Sequence, residues 1–534
     1  MSKTRPYNLF VSLVAAFGGF VWGFDAAVIS GAVPFLKQYF GLNGTQGDLK
    51  VGLGVSALGW GMLGGMAISG LLSRQFGRKR ILIVTAAVFA LSALVSARAS
   101  SFPVFVASRV LGGIAAGGTI LVAPVYLAEV SPSNWRAGLV SLNQLTIVTG
   151  MAAAFFSNWF LLGAGENNWR WMLGVAAIPA AAYFLLLLAV PESPRWLLGK
   201  GQEEKAREAL GKTCGEREQE AEWHRIGASL AKSAAGRGLG GRLEGKMRLL
   251  ILSGLAIVLF QQITGVIAVL HYLPGILIQA GGSLDAAFAQ TVVAGLASLG
   301  MTLAALWLMD RIGRKPLLIL GAAGMAAAAL TCSWAFHSST YQLTAKSYEM
   351  LQAGKVPPDF MADLKSAEGP VFATDKEFMT DLVQRFGADR IKPYRDALAG
   401  AAFNLRATVV FWAIIAFVAS FAFSLGPVMG VLLSEIFPAE GRRRAMGLAG
   451  FCNAAVGAGV IFIFPWELSH FGSAGTFLAC GLFALAALVF IAAGLPETRG
   501  KSLEELEGIP VRPPAKTCAV PSLSSKKTRP LPIP

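Results

Sequence analysis

Charge is scarce in this chain. Only 14% of its 534 residues are Asp, Glu, Lys or Arg, against about 25% in soluble domains. With 54% hydrophobic residues, that excludes a soluble protein built on one large core. Cysteine is sparse as well. Cys214, Cys332, Cys452, Cys480 and Cys518 are scattered, without paired or metal-ligand spacing. Four of them fall in apolar runs or on the side assigned below to the cytoplasm, so no disulfide is expected. The four histidines, His224, His271, His337 and His470, stand far apart. No nucleophile–base set, phosphate loop or metal cluster accompanies them, which argues against an enzyme and predicts no cofactor. Lys3 and Arg5 precede the first apolar run, but no small-residue cleavage site follows it. An uncleaved first span is expected rather than a signal peptide.

What the chain has is apolar runs of about 20 residues, each enough to cross a bilayer. Twelve are expected. In the first half they lie near 9–33, 50–72, 81–99, 103–127, 138–162 and 171–190. In the second half they lie near 249–279, 287–309, 316–337, 406–433, 445–466 and 474–495. The net charge of +15 does not indicate a nucleic-acid partner, because the basic residues gather in the short loops of one side. Arg74, Arg78, Lys79 and Arg80 follow the second run, Arg311, Arg314 and Lys315 the eighth, and Arg442, Arg443 and Arg444 the tenth. Basic loops face the cytoplasm, so both termini are expected there.

The chain repeats itself. Gly77-Arg78-Lys79 returns 236 residues later as Gly313-Arg314-Lys315. Glu129 and Arg136 return 306 residues later as Glu435 and Arg442, and Pro191-Glu192-Ser193 returns as Pro496-Glu497-Thr498. Two six-span halves explain this pattern. The fold class expected is an all-α membrane protein. Residues 1–194 form the first half, 195–248 a cytoplasmic helical linker, 249–507 the second half, and 508–534 a disordered tail. The jump in spacing places an insertion at 338–404, on the external side between spans nine and ten. It is read as an ordered cap or as a passive loop.

Asp25 is the only ionisable residue in the run from Leu9 to Leu36. A carboxylate in hydrocarbon needs a partner, a bound proton or a wet cavity. Arg109, which opens the glycine-rich stretch of span four, is its natural buried partner. If the pair separates, the desolvated acid takes up a proton, so protonation and conformation become linked. A purely structural pair is the alternative. Gln144, Gln261 and Gln262 place amides inside apolar runs. They suit a neutral hydroxylated ligand or hydrogen bonds between helices.

Several motifs resemble the sugar porter family of the major facilitator superfamily over about residues 8–507, outside the insertion. They are Gly23-Phe24-Asp25, Ser108-Arg109-Val110-Leu111-Gly112-Gly113, Pro124-Val125-Tyr126-Leu127-Ala128-Glu129, Trp169-Arg170-Trp171-Met172, Pro191-Glu192-Ser193-Pro194-Arg195-Trp196, Gln261-Gln262-Ile263-Thr264-Gly265, Asp310-Arg311-Ile312-Gly313-Arg314-Lys315 and Pro496-Glu497-Thr498-Arg499-Gly500-Lys501. The resemblance implies the major facilitator fold and alternating access. It implies a sugar site at Trp22, Gln144, Gln261, Gln262, Phe421 and Asn453, and proton coupling at Asp25 and Arg109. It also implies a cytoplasmic gate of salt bridges between helix ends, drawn from Glu129, Arg136, Glu192, Arg195, Asp310, Arg311, Arg314, Glu435, Arg442 and Glu497.

The departures fall in the sugar site. Ile267 stands where relatives have Asn, His271 where they have Tyr, Ser298 where they have Asn, and Gly430 and Ala454 where they have Trp. A wider or repacked pocket follows. His271 is read as a substrate or proton ligand, or as a satisfied structural histidine. The first-half loop begins Arg74-Gln75 where the motif usually begins Asp-Arg, so its latch is expected to be weakened. The function expected is import of a monosaccharide or related polyol by proton symport, by a monomer in the plasma or bacterial inner membrane. A facilitator and a non-transporting sugar sensor are the alternatives. The partners expected are the sugar, the proton and the lipid bilayer.

Overall fold

In hydrocarbon every backbone N–H and C=O must be bonded within its own segment, so apolar runs of this length fold as helices. The computed structural model describes residues 4–131, 136–213, 216–235, 245–437, 442–495 and 497–499, except 345–346, 349–350, 352–355, 366–367, 373–374 and 405–406. The tail expected at 508–534, Cys214, Cys518 and the side chain of Arg136 lie outside the described residues. Among the described residues, twelve helices are long and apolar enough to cross a membrane. Spans one to six are Tyr7–Tyr39, Gly44–Phe76, Arg78–Arg98, Phe102–Val130, Leu142–Gly163 and Asn168–Leu188. Spans seven to twelve are Leu250–Gln279, Leu284–Ile312, Arg314–His337, Ala407–Ile436, Arg444–His470 and Gly472–Gly494.

The helices outrun the apolar runs where charge is neutralised locally. Span two, expected from residue 50, begins at Gly44, and Asp48 in its second turn pairs with Lys37 of span one at 3.0 Å. Two breaks matter for the site. Span seven divides into Gly245–Ile263 and Val266–Gln279 around Gly265, whose φ of 79° favours glycine. Span ten divides into Ala407–Phe423 and Leu425–Ile436 at Ser424. Each break releases backbone groups that need new partners.

Within the first half, spans two and four touch backbone to backbone. A Cβ at Gly61 or Gly65 would strike the carbonyls of Val110 or Ile114, and one at Gly113 or Gly117 would strike those of Leu58 or Met62. Small residues four apart on both helices permit that approach. Arg109 lies one turn before Gly113, so this packing fixes where its guanidinium starts.

The end that carries the 195–248 segment is called the linker end, and the end that carries the 338–404 insertion the cap end. The halves meet toward the cap end. Gly52 abuts the Phe462 carbonyl, Gly295 packs on Ala152 and Phe155, and the Phe35 and Phe288 rings lie 6.3 Å apart. One apolar core joins Val28, Ile29 and Phe155 of the first half to Val269, Leu273 and Phe464 of the second. At the linker end the first half closes a separate core on itself, through Val14, Leu82, Tyr126, Tyr183 and Leu187. The contacts between halves named here thus lie toward the cap end, whereas this linker-end core belongs to the first half alone.

The linker segment forms helices Pro194–Gly199, Glu203–Thr213 and Glu216–Ala235. Ser193 caps the first by accepting from Trp196 N at 3.2 Å. The segment is fastened to the first half by Asn8 Nδ2, which donates to the Thr213 carbonyl, and by Trp196 Nε1, which donates to the Arg74 carbonyl at 3.0 Å. The insertion has an apolar core of its own, with Leu343, Phe360, Leu364, Phe378, Leu382 and Leu398. Its helices include Pro358–Leu364, Asp375–Phe386 and Arg395–Ala402. Its two ends pair as an antiparallel ribbon, Thr340–Tyr341 on Phe403–Asn404.

Candidate functional site

Asp25 and Arg109 meet in the interior of the first half, 3% and 1% exposed. Arg109 Nη1 donates to Asp25 Oδ1 at 2.9 Å, and Nη2 donates to the Asp25 backbone carbonyl at 3.1 Å. Asp25 Oδ2 and Arg109 Nε have no hydrogen-bond partner among the described residues. The pair is thus half satisfied. A buried pair is costly to break, because either partner alone is an uncompensated charge. One carboxylate oxygen is nonetheless left without a donor among the described residues. Trp22, three residues earlier, packs on the linker-end core of the first half, and its Nε1 is buried without a partner. Gln144 is half-buried on span five.

The second half brings its amides to the two helix breaks. Gln261 Nε2 donates to the Leu425 carbonyl at 2.8 Å, so span seven bonds to the backbone just past the break in span ten. Gln262 Nε2 donates to Asn453 Oδ1. Tyr272 OH donates to the Ile461 carbonyl at 3.1 Å. Spans seven, ten and eleven are thereby stitched together by the groups expected to meet a sugar.

Ser298 Oγ donates to Ala294 O of its own helix at 2.8 Å. Ile267 and Phe421 are half-buried against the core that joins the halves. Gly430 is exposed, and a Cβ built on it would have no atom within 4 Å. His271 Nδ1 lies 2.7 Å from the Ile267 carbonyl. Facing a carbonyl, Nδ1 carries the hydrogen, which leaves Nε2 as an acceptor.

At the linker end the charged residues form two matching clamps. In the first, Arg78 grips Glu129 through Nε to Oε2 at 2.8 Å and Nη2 to Oε1 at 2.9 Å, and Ser193 Oγ also donates to Oε2 at 2.6 Å. Glu192 Oε1 accepts from the backbone N–H of Arg78 and of Lys79, both at 3.0 Å. In the second, Arg314 Nη2 donates to Glu435 at 2.9 Å, and Thr498 Oγ1 donates to Glu435 at 2.6 Å. Glu497 accepts from the N–H of Arg314 and of Lys315, both at 3.1 Å. Glu192 and Glu497 each cap the span that follows a glycine in the left-handed region, Gly77 at φ 100° and Gly313 at φ 104°.

Every one of these bonds stays inside its own half. The resemblance implies salt bridges between helix ends, and among the described residues these bridges join helix ends of the same half. Asp310 pairs with Arg314 at 3.5 Å, Arg311 stacks on Trp307 at 3.9 Å, and Arg195 Nη2 donates to Ser229 of the linker at 2.9 Å. Arg442 Nε donates to the Phe437 carbonyl at 2.9 Å. Sequence reasoning omitted Arg78 from the site, although it is the repeat partner of Arg314 and the repeat itself marked it. The role of the Leu425 carbonyl had no signal in side-chain chemistry.

The profile of the "Sugar (and other) transporter" family matches residues 11–353 and 397–509. The chain is 30% identical to the arabinose–proton symporter of Bacillus subtilis over 516 residues, covering 95% of this chain and 96% of that one. It is 30% identical to the D-xylose–proton symporter of Escherichia coli over 537 residues, covering 94% and 96%. Among solved structures it is similar to the xylose transporter XylE of E. coli in a partially occluded inward-open conformation. The TM-score is 0.72 at 28% identity, covering 93% of this chain and 100% of that one. XylE bound to 6-bromo-6-deoxy-D-glucose matches with a TM-score of 0.68 at 30% identity, covering 95% and 99%. Twelve spans in two repeated halves, matching clamps and a family profile over both halves converge: the chain belongs to the sugar (and other) transporter family, as a sugar porter of the major facilitator superfamily.

Proposed function

We propose that this chain imports a monosaccharide or related polyol by proton symport, through alternating access between its two halves. The observation that carries this is the buried Asp25–Arg109 pair with Oδ2 unpartnered. A fully satisfied pair would be a structural rivet. This one holds a protonation site whose use requires Arg109 to let go. The two relatives described above, symporters of arabinose and of D-xylose with protons, support the same reading.

Trp22, Gln144, Gln261, Gln262, Ile267, His271, Ser298, Phe421, Gly430 and Asn453 form the sugar site. The Arg78–Glu129–Glu192 and Arg314–Glu435–Glu497 clamps hold each half rigid at the linker end, where the gate closes. That end faces the cytoplasm with both termini, as its arginine-rich loops favour. The protein acts as a monomer. In proteoliposomes, an imposed pH gradient should drive sugar above equilibrium, and a protonophore should collapse the accumulation. Exchange of labelled sugar without gradient-driven accumulation would overturn symport in favour of a facilitator.

A further inference from the structure

We propose that Ser92 of span three is the acceptor that holds Asp25 in its protonated state, and so a positioning residue for proton coupling. The role rests on the symport reading above.

Asp25 Oδ2 is buried, unpartnered and directed toward Gly112 of span four. A Cβ at Gly112 would lie 3.6 Å from Oδ2 and 2.6 Å from Ser92 Oγ. The two oxygens therefore flank the room that this glycine leaves. Ser92 is 1% exposed. Its hydrogen is already committed, since Oγ donates to the Ser108 carbonyl at 2.7 Å. Ser108 is itself occupied, its hydroxyl donating to the Phe105 carbonyl at 2.6 Å and meeting Ser96 Oγ at 2.7 Å. Ser92 Oγ can thus offer only lone pairs.

That asymmetry makes it selective. A carboxylate oxygen needs a donor and gains nothing from Ser92. A carboxylic acid has an O–H to give and gains an acceptor. When Arg109 releases Oδ1 and a proton binds Oδ2, rotation of the Asp25 carboxyl over Gly112 lets Oδ2–H donate to Ser92 Oγ. The hydrogen of Ser92 stays on the Ser108 carbonyl. No proton passes beyond Asp25. The serine reads the protonation state and favours one form of it.

The other charged or titratable groups on the described elements packed against span one are these. Arg109, Tyr126 and Glu129 are on span four, Arg170 and Tyr183 on span six, and His271 and Tyr272 on span seven. Asp48, Lys50 and Arg74 lie on span two, and Glu203, Glu204, Lys205, Arg207, Glu208 and Lys212 lie on the linker helix Glu203–Thr213. Of these, only Arg109 contacts Asp25, through the bonds given above. No other group in this set competes to receive the Oδ2 proton.

The test is the external-pH profile of sugar uptake in proteoliposomes for the unmodified protein, Ser92→Ala and Gly112→Ala. Sugar counterflow at low pH serves as the measure of folded, mobile transporter. Losing one neutral hydrogen bond to the acid should move the midpoint about half a unit to one unit toward lower pH, with counterflow unchanged. Gly112→Ala, which puts a methyl between the two oxygens, should move it the same way and decides the matter if Ser92→Ala does not fold. In an Asp25→Asn background, Ser92→Ala should change nothing. An unshifted midpoint in a variant with normal counterflow overturns the role of Ser92 alone. Absence of gradient-driven accumulation by the unmodified protein overturns symport, and this role with it.

Discussion

Removing Arg109 should harm the protein more than removing Arg109 and Asp25 charge together. Arg109→Gln deletes the bonds to Asp25 Oδ1 and to the Asp25 carbonyl, and leaves a carboxylate that is 3% exposed without a counter-charge. Breaking a buried pair in this way costs about 3–5 kcal/mol. Asp25→Asn keeps an oxygen for Nη1 but strands a guanidinium that is 1% exposed, at a cost of about 2–3 kcal/mol. In the double variant two neutral amides face each other, and replacement of a buried pair by neutral groups is often close to neutral. The double variant should therefore be more stable than Arg109→Gln alone, with a coupling of at least about 2 kcal/mol. Unfolding in mixed detergent micelles, followed by tryptophan fluorescence, measures the cycle. Proteoliposome uptake measures its functional side: Asp25→Asn should abolish uphill uptake while preserving exchange. Stabilities that add within about 0.5 kcal/mol would refute the reasoning, because the two groups would then not depend on each other. Continued concentration of sugar by Asp25→Asn would move the coupling group elsewhere, with His271 next.

Glu129→Gln and Glu435→Gln should each destabilise by about 1–3 kcal/mol and add within about 0.5 kcal/mol when combined, since their clamps lie in separate halves; denaturant midpoints read this. Gly52→Leu should force the cap ends apart by crowding the Phe462 carbonyl, seen as a longer spin-label distance between spans two and eleven. In the cap, burial and the nearby Glu368 push the Tyr348 phenol up to about 12. A raised value means the stability that the buried phenol contributes is complete below about pH 10, the ordinary tyrosine value, and is lost as pH climbs through about 12. Tyr348→Phe should remove that alkaline loss, measured by proteolysis of the cap against pH.

The number of the spans was legible because hydropathy acts residue by residue along the chain. Lys37 and Asp48 show where that failed: their mutual neutralisation carries the helices past the apolar runs. Asp25 and Arg109 were legible as a pair because each is costly alone in hydrocarbon. The clamps were half legible. Repetition exposed Arg314 and Glu435, and the same repetition names Arg78, but whether such pairs bridge halves depends on conformation, which sequence does not encode as one answer. The use made of Gln261 was not legible. It depends on the break at Ser424 freeing backbone near Leu425, and a serine in an apolar run carries no sign of such a break.

The ribbon at the base of the cap has a practical consequence. Thr340 pairs with Asn404 and Tyr341 with Phe403, so the chain leaves the membrane domain and returns to it at neighbouring points. A segment tethered this way is a module on a short two-legged stem. It can be exchanged for another compact domain with adjacent termini, such as a fluorescent reporter or an epitope scaffold, without asking spans nine and ten to move. The same stem offers evolution a place to add or remove a domain in one step.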